Sequence, residues 1–122
     1  MSSKTEQLAD ILRTLRATSP EVIGAAVVSA EGFIIASVLP NDTDEDLIGG
    51  MAASLLGVGE RISADLMRAQ MDQVFVRSPK GYILLNAINA SASLVVLVTK
   101  DAKLGLIFLE LKRAIAELAN CL

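Results

Sequence analysis

The chain has 122 residues, of which 52% are hydrophobic and 20% charged, a balance that predicts one folded domain spanning residues 1–122. Its formal net charge of -3, with a single Tyr and no Trp, offers neither the cations nor the stacking platforms of a nucleic-acid binder. It contains no histidine, the commonest general base and transition-metal ligand, which excludes hydrolase triads and zinc sites.

Helix 1 is predicted at the start of the chain. Ser3 followed by Glu6 is a capping box, which marks a helix N-terminus. Apolar residues then recur at helical spacing until Ser19 and Pro20 stop the pattern. The same stretch lacks the apolar run of a signal peptide, and Cys121 is the single cysteine, so we expect a cytoplasmic protein.

Two strands and a long helix follow. Residues 22–29 and 33–39 are apolar, β-favouring runs, separated by a turn in which Gly32 can adopt a positive φ. After them, an acidic segment supplies an N-cap and charges that suit the positive end of a helix dipole. Helix 2 is predicted over residues 44–68. Its predicted core-facing stripe consists of Ile48, Ala52, Leu55, Gly59, Ile62 and Leu66.

A second face of helix 2 carries small residues. Gly50, Ala53, Gly57 and Ala64 lie opposite the apolar stripe, although each helical glycine costs about 1 kcal/mol relative to alanine. Small side chains allow two backbones to approach closely, so we expect this face to meet a second copy of the chain or another partner. The alternative is a plain solvent-exposed face. Three charged residues flank this face: Glu60, Arg61 and Arg68.

Three more strands and a helix complete the predicted fold. Strands 3, 4 and 5 are expected over residues 71–78, 82–89 and 94–99, and Asp101 is expected to cap helix 3. The uncharged stretch 81–99 is nearly long enough to cross a bilayer. Asn and Ser residues interrupt it, however, so it predicts a hairpin rather than a membrane span.

The predicted order α-β-β-α-β-β-β-α corresponds to an α+β domain with a central antiparallel five-stranded sheet. Strands 1, 4 and 5 are apolar on both faces, so helices must cover both sides in a three-layer α/β/α arrangement. Strand 3 carries Asp72, Gln73 and Arg77, polar side chains that suit an edge strand.

The chain carries no motif that predicts catalysis or a cofactor. It has neither a P-loop nor a dinucleotide-binding fingerprint, and its paired carboxylates lie at helix starts or on polar helix faces. Its apolar content is high for so small a domain, which favours burial of some surface against a partner. We therefore expect a non-enzymatic, oligomeric protein-binding module without cofactor or metal.

Three features are informative together: the element order, the turn sequence Val27-Val28-Ser29-Ala30-Glu31-Gly32, and the start of helix 3 at Lys103-Leu104-Gly105-Leu106. In these features the chain resembles the Roadblock family of dynein light chains and bacterial GTPase regulators. Profilin-like and longin-like folds share parts of this topology. The resemblance implies a homodimer in which strand 3 pairs antiparallel with its copy and the two copies of helix 2 lie side by side. A two-fold axis perpendicular to the sheet then places a residue near Val74, Phe75 or Val76 opposite itself.

Family members act as platforms for Ras-like small GTPases, and some bacterial ones are GTPase-activating partners. The resemblance implies that the helix 2 surface would carry such a role here, with Glu60, Arg61 and Arg68 as polar contacts to the partner. The leading hypothesis is therefore a homodimeric regulator or adaptor of a small GTPase. One alternative is a structural subunit of a larger complex with no preference for a nucleotide state. Another is a small-molecule sensor, which requires an internal cavity with converging polar groups.

Overall fold

A computed structural model, which describes residues 3–122, contains three α-helices and five strands in the predicted order. A π-helical turn, Ser63–Met67, continues the second helix. The elements are α1 (Lys4–Thr18), β1 (Val22–Ser29), β2 (Ile34–Val38), α2 (Glu45–Ile62), β3 (Gln73–Ser78), β4 (Gly81–Asn89), β5 (Ala92–Thr99) and α3 (Leu104–Cys121).

The five strands form one antiparallel sheet in the order β2-β1-β5-β4-β3. The edge position predicted for strand 3 is confirmed. Stretch 81–99, whose length approaches that of a membrane span, is the β4–β5 hairpin, with its turn at Ala90 and Ser91. Of the helices in residues 3–122, none is long and apolar enough to cross a membrane.

Helices cover both faces of the sheet, which confirms the three-layer prediction. Alternation along β5 directs Leu94, Val96 and Val98 into a core shared with α1 and α3. Val95 points the other way, into a smaller core with Leu56 of α2. The sheet is therefore the middle layer, and among the helices of the described residues α2 is the one that covers its second face.

Side chains cap two of the helices as predicted, but not the third. Ser3 Oγ accepts a hydrogen bond from the Glu6 N–H at 3.1 Å, and Asp44 Oδ1 accepts one from the Leu47 N–H at 3.1 Å. The prediction that Asp101 caps α3 is wrong. Asp101 lies in a turn closed by the bond from the Ala102 N–H to the Thr99 carbonyl. The cap position of α3 falls two residues later, and the side chain there makes no capping bond.

The core-facing stripe predicted for helix 2 is wrong in part. The residues of α2 that are buried are Gly49, Ala52 and Leu56, of which the stripe included Ala52. Leu55 is 36% exposed and Ile62 is 54% exposed. The helix is thus rotated about its axis by roughly one residue relative to the prediction.

The rotation has a local cause at two glycines. The predicted positive φ of Gly32 is confirmed at 94°, and the turn it forms brings its carbonyl oxygen against Gly49 of α2. A β-carbon on Gly49 would collide with that oxygen, whereas among the described residues nothing lies within 4 Å of a β-carbon on Gly50. Direct contact between the two backbones therefore holds the N-terminal half of α2 on the β1–β2 turn.

We expect Gly49→Ala to lower the free energy of unfolding by about 1–3 kcal/mol, because the new methyl group forces the turn and the helix apart. Gly50→Ala is the matched control on the same helix. It should leave stability unchanged or raise it by up to about 1 kcal/mol through its helix propensity. Urea unfolding at equal protein concentration measures both, and equal effects would contradict the contact as the cause.

Candidate protein-binding interface

The edge of β3 is a regular strand with one partner. Its pairing with β4 runs without a register shift from Gln73 opposite Asn86 to Ser78 opposite Gly81. Within residues 3–122, no strand lies on its other side. Alternate residues of an edge strand direct their N–H and C=O groups outward, so this edge can accept another antiparallel strand.

The opposite edge of the sheet is less suited to pairing. β2 has five residues, and its register with β1 shifts between Val27 and Val28. Such bulges bend a strand and disrupt its ladder, which discourages a further strand from adding. Of the two edges, β3 is the one with the geometry of an open pairing template.

The three residues predicted on the dimer axis lie in β3 and point to both faces of the sheet. Val74 packs against the core under α2. Phe75 points to the opposite face, where its ring centre is 5.3 Å from that of Tyr82 and the residue is 41% exposed. Val76 is half-buried and pairs with Ile83. An added strand would therefore meet apolar side chains on both faces of this edge.

The flank of α2 nearest β3 is also apolar. A β-carbon on Gly59 would lie 2.5 Å from Met71 Sδ and 2.9 Å from a methyl carbon of Val74, so this side of the helix faces the start of β3. Leu55 and Ile62 lie one turn before and one turn after Gly59 and are accessible. These two residues, termed here the β3 flank, extend the apolar edge of the sheet onto the helix.

The small residues singled out on helix 2 lie on its other side. Gly50 and Gly57 are roughly 160–180° around the helix axis from Gly59. Ala53, on the same side, lies within van der Waals distance of Gly32, at 3.5 Å from an ideal β-carbon there. This small-residue flank is therefore directed away from β3, and of its residues Ala53 contacts the turn between β1 and β2.

Between the two flanks, the outward surface of α2 is apolar. Leu47, Met51 and Val58 are all exposed there, together with Ser54. With residues of the neighbouring turns they line a shallow depression along the helix. Contiguous exposed apolar surface of this kind is typical of protein contact sites, whereas single exposed apolar residues are common anywhere on a protein surface.

The charged residues predicted to contact a partner separate into two places. Glu60 and Arg68 line one groove of about 930 Å³ between the end of α2 and the β4–β5 turn, which contributes Asn89. Arg68 has a left-handed backbone, φ 53°, and ends the π-helical turn. Arg61 is exposed and lies outside that groove. The structure thus brings two of the three together.

Residues 4–98 match the model of the Roadblock/LC7 domain. The chain belongs to the Roadblock/LC7 family. The uncharacterized protein MJ0714 of Methanocaldococcus jannaschii is 37% identical over 95 residues, which are 76% of this chain and 78% of that protein. The matched segment of this Roadblock/LC7 domain ends within β5, so α3 lies beyond it.

Solved structures show the same fold. MglB of Myxococcus xanthus superposes with a TM-score of 0.89 at 16% identity, over 98% of this domain and 90% of that chain. The gliding protein MglB of Thermus thermophilus gives 0.88 at 18% identity, over 99% and 92%. Profilin of Schizosaccharomyces pombe gives 0.68 at 15% identity, over 93% and 97%. The predicted profilin-like α+β class is confirmed.

Sequence reasoning missed the β3 flank as a candidate contact surface. Leu55 and Ile62 follow the helical period that marks a core-facing stripe, and we assigned them to the core. Gly49 is the residue that could have indicated which side of helix 2 faces the core, since a glycine between apolar residues can mark a close backbone approach. Within residues 3–122, no group of three or more potential ligands is placed to hold a metal ion.

Proposed function

We propose that this Roadblock/LC7 domain is a cytoplasmic, non-enzymatic homodimer that regulates a Ras-like small GTPase or links it to other proteins. The observation that carries the proposal is the regular free edge of β3, which is continuous with the apolar β3 flank of α2. A second copy of the chain can complete both at once.

In the proposed dimer, β3 pairs with its copy about a two-fold axis perpendicular to the sheet. Such an axis keeps each side chain on its own face, so Phe75 meets the α3 side of the copy while Val74 and Val76 meet the α2 side. The β3 flanks of the two α2 helices, Leu55 and Ile62, then approach each other above the joined sheet. Burial of these partly exposed apolar groups supplies the driving force for dimerisation.

The small-residue flank, Gly50, Ala53 and Gly57, stays a predicted contact surface. Its direction away from β3 favours a contact with another protein or another face of the copy over the helix pair at the axis. The absence of side chains at two of these positions leaves the backbone accessible to a helix or loop. We therefore propose that the two flanks of α2 serve different contacts.

The outward faces of the two α2 helices are proposed to form the platform for the GTPase. Leu47, Met51 and Val58 supply apolar area, and Arg61 supplies a charge at its border. Glu60 and Arg68 add polar contacts in the groove between the end of α2 and the β4–β5 turn. The domain offers a surface, so any effect on hydrolysis arises by positioning groups within the partner's active site.

A structural scaffold is the second candidate, and one observation favours it. The outward face of α2 is mainly apolar, and permanent interfaces are more apolar than transient ones. A subunit held permanently in a larger complex would not distinguish the two nucleotide states of a GTPase.

Phe75→Asp should convert the dimer to a monomer at micromolar concentration, because it introduces a charge beside the proposed axis. Sedimentation equilibrium measures the mass. The matched control is Phe33→Asp, since Phe33 is also exposed but precedes β2 at the other end of the sheet. A Phe75→Asp protein that stays dimeric would mean that the copies meet elsewhere.

Ile62→Glu should raise the dissociation constant of the dimer by at least about tenfold, because it places a charge in the contact between the two helices. Gly57→Leu tests the other flank. If the bulky side chain changes neither oligomer size nor partner capture, the small-residue flank is a plain solvent-exposed face. A dimer indifferent to Ile62→Glu contradicts the proposed pairing of the β3 flanks.

Immobilised protein should capture more small GTPase from a lysate of the source organism loaded with a GTP analogue than from one loaded with GDP. Arg61→Glu should weaken that capture at least about fivefold without changing the dimer. Arg16→Glu, an exposed position in the last turn of α1, is the control. Equal capture from both lysates would favour the scaffold function instead.

A further inference from the structure

The two ends of the free β3 edge carry opposite charges. Asp72 immediately precedes the strand, Arg77 is its penultimate residue, and Lys80 lies in the turn that follows. All three are exposed. The ion pairs formed within residues 3–122 are Arg13 with Asp10 and Arg113 with Glu110, so the charges at the β3 edge have no partner inside the described chain.

Charges on neighbouring elements cancel in pairs and leave this polarity unchanged. Lys100 lines the same surface depression as Arg77, and the one acid beside it in sequence is Asp101. At the other end, Asp72 shares its groove with Glu60 and Arg68. The turn end of the edge is therefore net positive, while the starting end is net negative.

We infer that this charge pattern makes the β3 edge complementary to a second copy of itself in the antiparallel direction. The inference rests on the proposed β3 dimer and concerns what selects the copy and its direction. Antiparallel pairing brings the acidic end of each strand to the basic end of the other, twice per dimer. Parallel pairing would bring like charges together at both ends, which is unfavourable.

The complementarity holds for each residue that can lie on the axis. With Val74, Phe75 or Val76 at the centre, the residue opposite Asp72 is respectively residue 76, 78 or 80 of the second copy. The first two are adjacent to Arg77, and the third is Lys80 itself. Arg77 lies on the α3 face with Phe75 and Tyr82, whereas Asp72 lines the groove beside the end of α2. A direct pair is therefore expected between Asp72 and Lys80 with Val76 on the axis, and in the other two registers the opposite charges attract one another across the strand edge.

The expected contribution is moderate. An exposed ion pair changes an association constant by up to about fivefold, and two symmetry-related contacts together change it by up to about 25-fold. Reversing one member adds repulsion in place of attraction, and salt screens both effects. The charges therefore select which strand pairs with β3 and in which direction, while apolar contacts supply most of the affinity of the dimer.

Charge reversal at the two ends separates this inference from a structural effect. In low salt, the Asp72→Lys chain and the Arg77→Glu/Lys80→Glu chain should each dimerise at least about tenfold more weakly than the natural chain. An equal mixture of the two should form the heterodimer, in which every contact is again attractive. The chain with all three substitutions should regain most of the natural affinity.

Glu31→Lys, in the β1–β2 turn, is the control for a charge change far from the edge, and circular dichroism confirms that each variant folds. Sedimentation and native mass spectrometry measure dimer formation and composition. Variants that dimerise like the natural chain, or a mixture without preference for the heterodimer, overturn the inference. If Phe75→Asp still yields a monomer in that case, the β3 dimer stands and only its charge selection is wrong. A natural chain that is monomeric at micromolar concentration overturns both.

Discussion

The contact between the backbones of Gly32 and Gly49 determines how α2 lies on the sheet. The carbonyl oxygen of the β1–β2 turn lies where a β-carbon of residue 49 would be, so this part of the helix can approach the sheet only through a glycine. Because this contact fixes the rotation of α2 about its own axis, Ala52 and Leu56 face the core, while Leu55 and Ile62 remain accessible. The candidate interface is thus a consequence of a close approach at the far end of the same helix.

Period-two alternation made the layers of this fold predictable from the sequence. Strand β5 has large apolar residues on both faces, which requires cover on both sides whatever the details of packing. The edge position of β3 was also predictable, because Asp72, Gln73 and Arg77 would be costly in a central strand. These features depend on local pattern alone.

The rotation of α2 could not be predicted in the same way. An apolar stripe has the same spacing whether it faces its own core or another protein, so Ile62 gave no sign of its exposure. The tertiary contact at Gly49 decides between the two, and it joins residues 17 positions apart in sequence. The misplaced cap at Asp101 has a different, local cause, since a turn bonded to Thr99 precedes the helix.

The bulge in β2 has a consequence for the size of the assembly. If two sheets join through β3, the combined sheet ends in β2 on both sides. A regular strand there would offer each end to further copies, and growth could continue into an open filament. The register shift between Val27 and Val28 bends those ends away from regular pairing, so sheet extension is expected to stop at a closed pair.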